Sequence, residues 1–258
     1  MVIASQIARQ RGEMTHEDPD TVARAAAIDF ARRLAQRWHQ ALGADFIGAY
    51  LIGSLAHDGF SRRYSDVDLA LVTAAGLLGS TLDRLRGEAI ALSAAWGPKV
   101  SLFWTDRHFS CGRFPPLDRI DYLDYAVPLT ERERVRPPRP TLAEIREYLR
   151  GAPFAGWVER VRGFAAAEAL APQDRKTYLR ALLYPGRFCY SWLTGHMGSN
   201  EGAVAHLRER PVRGLDIDLI ERALQCRRSA ADPDALFPER GALPGQIEAC
   251  AALLGVPA

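Results

Sequence analysis

The chain has 258 residues, 33 basic and 31 acidic side chains, and a hydrophobic content of 48%, enough apolar material for one large domain or two modest ones with a substantial core. Acids are interspersed among the bases, as in ERERVRPPR (131–139), which disfavours long nucleic acid as a partner. The longest apolar run, LALVTAAGLLG (69–79), is far shorter than a bilayer span and the first residues lack the apolar core of a secretory signal, so no membrane association and a cytoplasmic location are expected. Cys111, Cys189, Cys226 and Cys250 have no paired spacing, which predicts neither a zinc site nor a disulfide framework.

After a polar leader, with Met14 as an alternative first residue, DPDTVARAAAIDFARRLAQRWHQALG has apolar residues at helical spacing, Asp20 as its N-cap and Gly43 as its stop. DFIGAYLIG (45–53) and SDVDLALV (65–72) read as buried strands, LLGSTLDRLRGEAIALSAAWG as a helix and KVSLFWT (99–105) as a third strand. The stretch 115–145, with Pro137, Pro138 and Pro140, reads as a linker ending near residue 140. Beyond it nearly every segment has helical period, with separate helices expected for DRKTYLRALLY and GRFCYSWLTG. The expected fold is α+β: a small mixed sheet with helices over 14–138, then an all-helical domain over 139–258.

Chemistry concentrates in LIGSLAHDGFSRRYSDVDLALV (51–72). Residues two apart on a strand share a face, so Asp66 and Asp68 project together while Val67, Leu69 and Leu71 turn into a core. Two converging carboxylates repel unless a cation lies between them, and a hard cation such as Mg²⁺ takes oxygen ligands. Gly53-Ser54 closes the preceding strand with a glycine, a hydroxyl and turn amides, the groups that hold phosphate. The two elements together suit a nucleoside triphosphate with its metal.

Gly53-Ser54 followed by Asp66-x-Asp68 at the head of an apolar strand resembles the nucleotidyltransferase superfamily of the DNA polymerase β type. The segment YPGRFCYSWLTGHMGSNEGAVAHLRER (184–210) is similar to the helical domain of streptomycin/spectinomycin-type aminoglycoside adenylyltransferases. There an arginine-bearing helix ends at Thr-Gly and a Ser-Lys-acidic stretch opens the next; here Arg187, Thr194-Gly195 and Ser199-Asn200-Glu201 hold those places. The resemblance implies transfer of a nucleoside monophosphate from ATP, or another NTP, to a hydroxyl of a small acceptor such as an aminoglycoside, an antibiotic-resistance activity. It implies Asp66 and Asp68 as magnesium ligands and catalytic residues, and Gly53, Ser54 and Arg187 as nucleotide contacts.

Two positions depart from the family. Its third carboxylate normally comes from a neighbouring strand, yet PKVSLFWTD offers only Lys99 and Ser101 on that face, leaving Asp106 and, as catalytic base across the cleft, Glu201. Asn200 stands where the relatives carry lysine. Asp121 and Asp124 read equally as an acidic wall for a cationic acceptor or as solvated helix positions. Two further functions are compatible with the pattern: a catalytically weakened homologue that binds nucleotide as a regulatory module, and a nucleotidyltransferase acting on protein or tRNA.

Overall fold

The computed structural model describes residues 18–57 and 59–257; the alternative start at Met14 lies outside them. The first helix, α1 (Pro19–Leu42), is capped by Asp18, two residues before the expected cap: Pro19 occupies its first position, where a missing N–H costs nothing, and the Asp18 carboxylate accepts from the Asp20 amide. Gly43 ends it at φ 54°, a conformation that glycine adopts without strain.

The sheet is built from β1 (Phe46–Leu51), β2 (Val67–Thr73), β3 (Val100–Asp106), β4 (Gly112–Arg113) and β5 (Val127–Glu131), in the order β4-β3-β2-β1-β5. The β2–β3 pair is parallel, joined through α2 (Gly79–Leu92), and every other pair is antiparallel. All six residues of β1 are buried, as the unbroken apolar run requires of a strand covered on both faces. On one face Leu51, Val67, Leu69, Leu71 and Leu102 pack against Phe30, Leu34 and Trp38 of α1 and Leu85 of α2. On the other, Tyr50, Ala70 and Val72 pack with Phe109, Phe114 and Tyr122.

The region expected to be a linker is ordered instead as α3 (Pro116–Tyr125) and the edge strand β5. Pro116 stands in the first turn of α3, where proline favours a helix, and Ile120 and Tyr122 supply its apolar anchors. The run was too short, and too interrupted by acids, for its period to stand out.

The helical part comprises α4 (Leu142–Arg150), α5 (Ala152–Ala166), α6 (Arg175–Thr194), α7 (Asn200–Glu209), α8 (Ile217–Arg228) and α9 (Leu243–Leu254). A full capping box at Thr141 and Glu144 starts α4. The two helices expected on either side of Pro185-Gly186 are one, α6. Pro185 and Gly186 are buried there, and a side chain on Gly186 would meet Ile220 of α8 at 3.2 Å, so close packing holds the helix together through its proline. Gly195 stops α6 in the left-handed conformation and Ser199 caps α7. The helical core also takes in Ile120 of α3 and Tyr64 from the loop before β2, so the sheet and the helices share a packed boundary. Among the described residues no helix is long and apolar enough to cross a membrane.

Trp38 is fully buried and donates its indole N–H to Leu85 O at 3.3 Å, pinning α1 to α2 behind the sheet. Trp38→Ala is expected to cost about 3–5 kcal/mol, read as a lower midpoint in urea unfolding with an unchanged slope.

Candidate active site

A cavity of about 490 Å³ opens between the sheet and the helices. Its floor is the end of β1 and the start of β2. Ile52 donates its amide to Asp68 O at 3.1 Å, and Gly53–Leu55 then folds into a single tight turn. Gly53 adopts φ 64°, and a side chain there would sit 2.4 Å from Asp68 Oδ2. Glycine is therefore required twice over at this point, by backbone conformation and by the carboxylate that crosses it. The Ser54 and Ser65 hydroxyls lie 2.9 Å apart.

Asp66, Asp68, Gly53 and Ser54 all line this cavity, as does Arg187 from α6. Asp66 precedes β2 and Asp68 lies within it, while Val67, Leu69 and Leu71 are fully buried on the opposite face. Asp106 lies elsewhere. The parallel register sets Asp68 beside Ser101 and Thr73 beside Asp106, five residues further on, or roughly 16 Å at the strand rise. The Asp106 carboxylate accepts instead from the Ser110 amide at 2.7 Å and from its hydroxyl. Glu201 is not among the lining residues, although its neighbours Ser199 and Asn200 are; its carboxylate pairs with Arg228 at 3.3 Å.

The further carboxylates of the cavity come from α3, as Asp118 and Asp121. Asp121 is 2% exposed and accepts the Gly53 amide at 2.7 Å, with His57 Nε2 at 3.8 Å from its other oxygen. The amide expected to meet phosphate is thus committed to a carboxylate. Asp124, one turn on, points to solvent and pairs with Arg139. Of the two readings open for Asp121 and Asp124, the acidic wall holds for Asp121 and the solvated helix position for Asp124; Asp118, which the sequence reading did not single out, stands three residues before Asp121 on the same helix.

Four acids in one cavity disturb one another. Burial, then the charges of Asp66 and Asp121, push Asp68 up to about 6. Burial and the charges of Asp121 and Asp68 push Asp118 up to about 7, and burial pushes Asp121 up to about 6 against the Gly53 hydrogen bond. Asp66 goes the other way: burial would raise it, but the hydrogen bond from Lys176 and the charge of Arg180 hold it below the ordinary carboxylate range. Lys176 Nζ binds one oxygen of Asp66 and Arg180 Nη2 the other, the latter at 2.5 Å.

Lys176, Arg180 and Arg187 stand four and seven residues apart along α6 and so share a face. Reading α6 as two helices concealed that alignment. Two other loop arginines are occupied outside the cavity, Arg62 with Asp20 and Arg63 with Asp232. Lys99 donates to Arg62 O at 3.2 Å and lies over the Trp96 ring.

Asp66 and Asp68 offer the hard oxygen donors that magnesium takes, and an ion of this kind commonly uses one or two carboxylates and completes its shell with substrate phosphate and water. The residues fit on that ground. Among the described residues, no group of three or more acidic, histidine or cysteine side chains is arranged to hold a metal, so the two aspartates would be the protein's share.

No family model and no curated sequence matches the chain. Among solved structures, the chain is similar to spectinomycin adenyltransferase AAD(9) from Enterococcus faecialis, determined with ATP and spectinomycin, at a TM-score of 0.64 and 10% identity. The match covers 88% of this chain and 98% of that one. At this identity the likeness is one of fold, and it extends over the sheet and the helices together.

Two outcomes follow from this geometry. Gly53→Ala is expected to lower stability by about 1–3 kcal/mol, since it combines a positive φ with a clash against Asp68; chemical denaturation reads this directly. Asp118, raised to about 7 in the folded chain, binds more protons folded than unfolded between pH 4 and 7, so its charge costs stability as pH rises. Asp118→Asn should stabilise the protein by up to about 4 kcal/mol at pH 8, with the gain shrinking toward zero as melts are repeated down to pH 4.

Proposed function

We propose that the protein is a magnesium-dependent nucleotidyltransferase that moves a nucleoside monophosphate from an NTP, ATP first among them, to a hydroxyl of a small molecule, with release of pyrophosphate. The observation that carries this reading is the convergence, in one cavity, of the Gly53-Ser54 turn, the Asp66 and Asp68 carboxylates, and Arg180 and Arg187. The similarity to a fold solved with ATP and spectinomycin supports it.

In this reading each group has a task set by its chemistry. Ser54 and the arginines of α6 bind and orient the triphosphate, and their positive charge offsets that of the phosphate oxygens. Asp66 and Asp68 would hold the magnesium ion, which supplies charge neutralisation at the triphosphate. Asp118, the cavity carboxyl closest to neutrality, is the group suited to take the proton of the acceptor hydroxyl. Glu201, the base expected from motif position, is replaced in that role because it lies outside the lining. Phosphoryl transfer needs little more from a protein than this positioning and charge.

The cavity is also lined by Tyr148, Trp157 and Tyr184, with Trp157 and Tyr184 stacked at 5.4 Å. Aromatic side chains and the Asp118 and Asp121 carboxyls in one cavity, with Tyr148 within electrostatic reach of Asp118, suit a ring that carries hydroxyl and amino groups, so aminoglycosides are the acceptors to test first. A division near residue 138, into a nucleotide-handling part (14–138) and a helical part (139–258), and a cytoplasmic location where NTP is abundant, belong to the same proposal.

A second reading has its own observation: Lys176 and Arg180 together occupy Asp66, two cations where a metal would bind. A protein in which they stay there would hold nucleotide as a regulatory module without turning it over.

The deciding experiment measures pyrophosphate release from each NTP with magnesium, with and without a panel of aminoglycosides, and identifies products by mass. Acceptor-dependent release is expected, falling at least a hundredfold in Asp66→Asn and in Asp68→Asn, about 3 kcal/mol of lost transition-state stabilisation. Nucleotide binding with no release from any acceptor would establish the regulatory reading instead.

A further inference from the structure

Of the four cavity aspartates, Asp66 is the one that lysine and arginine side chains hold directly among the described residues. Lys176 Nζ binds one of its oxygens and Arg180 Nη2 the other, the latter at 2.5 Å. Both groups carry only donors, so each contact is an ion pair as well as a hydrogen bond. Lys99 stands within electrostatic reach of Asp66 and of Lys176. Three cations therefore face a single ionised carboxylate, and this rim of the cavity is positive before any ligand arrives. Such a surface attracts an anion and repels a bare divalent cation.

Among the described residues, Asp66 is the one hydrogen-bonding partner of either side chain. The Lys176 and Arg180 side chains are 32% and 60% exposed, and they stand one turn apart on α6, whose backbone is anchored by the buried Tyr178, Leu179 and Leu182. Both can swing on flexible stems while the helix stays fixed. Arg180 lines the cavity together with Ser54 and Asp68, where a triphosphate would bring several negative charges against the single charge of Asp66. The stronger anion takes the cations. Asp66, whose side chain is 19% exposed, is then a carboxylate short of a partner, and a divalent ion is the replacement that its oxygens suit.

We propose that Lys176 and Arg180 are specificity-determining residues that keep Asp66 closed to free divalent metal and release it to the triphosphate, leaving the carboxylate for phosphate oxygens so that metal enters with the nucleotide and not ahead of it. The inference rests on the reading of the cavity as a nucleotide site. It makes the two ligands cooperative, and by linkage the cooperativity is reciprocal: whatever frees Asp66 from the cations also frees the cations for phosphate.

The test uses the full chain, each variant first checked for an intact thermal melt. Binding of manganese alone is followed by electron paramagnetic resonance, and binding of metal-free inorganic tripolyphosphate by calorimetric titration. Lys176→Met combined with Arg180→Met is expected to tighten manganese roughly tenfold, about the worth of one hydrogen bond to a charged group. Lys99→Met, which removes a nearby charge without unpairing Asp66, should change it no more than about twofold at physiological salt. In the other direction, Asp66→Asn should tighten tripolyphosphate roughly tenfold while both cations are present, and no more than about threefold once both are methionine, the remainder being the loss of one like charge. A purely structural role for the pair would give losses in place of these gains. Manganese affinity unmoved in the double variant, or moved as far by Lys99→Met, would overturn the proposal. Equal gains from Asp66→Asn in the two backgrounds would also overturn it and leave both cations on Asp66, as the regulatory reading has it. A folded wild-type chain that binds neither tripolyphosphate nor magnesium ATP would overturn the nucleotide reading itself, and this inference with it.

Discussion

Repulsion among Asp66, Asp68, Asp118 and Asp121 is the constraint around which the rest of the structure is arranged. Carboxylates gathered in a partly dry cavity are tolerated only if cations or hydrogen-bond donors face them, or if some of them hold their protons. Both solutions are visible. Asp66 is held ionised by Lys176 and Arg180, Asp121 takes the Gly53 amide, and Asp118 and Asp68 are driven toward neutrality by burial and by their neighbours. Such a cavity is poor for stability and well suited to binding a ligand that brings positive charge, or a metal with its phosphate.

The cations that answer those carboxylates come from a different part of the chain. Helix α6 carries Lys176, Arg180 and Arg187 on one face while its other positions, Tyr178, Leu182, Phe188 and Trp192 among them, are buried in the helical core. The helix can hold its charges over the strand ends because that packing fixes it. Arg227 of α8 makes the second connection, gripping the loop that carries Ser61 and Ser65. Sheet and helices are thus tied together at the cavity by charge and hydrogen bonds, and behind it by Ile120 and Tyr64 in the shared core.

The strands, the long first helix and the helical second half were legible because their periodicity reflects burial that neighbouring residues share. The Gly53-Ser54 turn and the Asp66-x-Asp68 pair were legible for a related reason: both are local, and alternation along one strand is enough to set two carboxylates on one face. What escaped was the order of the stretch that α3 and β5 occupy, read as a linker with at most a short solvated helix at Asp121 and Asp124, and the continuity of α6 across Pro185. In each case tertiary packing overrode a local signal: Ile120 and Tyr122 anchor α3, and the contact of Gly186 with Ile220 holds α6 through its proline.

By itself, then, the amino-acid sequence determined an α+β chain with a Gly-Ser turn at the end of one strand and two carboxylates at the head of the next, because those features depend on residues close together along the chain. Only the tertiary structure decided that Asp118 and Asp121 join the cavity while Asp106 and Glu201 stay outside its lining, that Lys176 and Arg180 hold Asp66, and that Arg227 reaches Ser65. Those contacts join residues 68 to 162 positions apart. No local periodicity encodes them, since they depend on which face each helix buries and on how far a long side chain reaches from it.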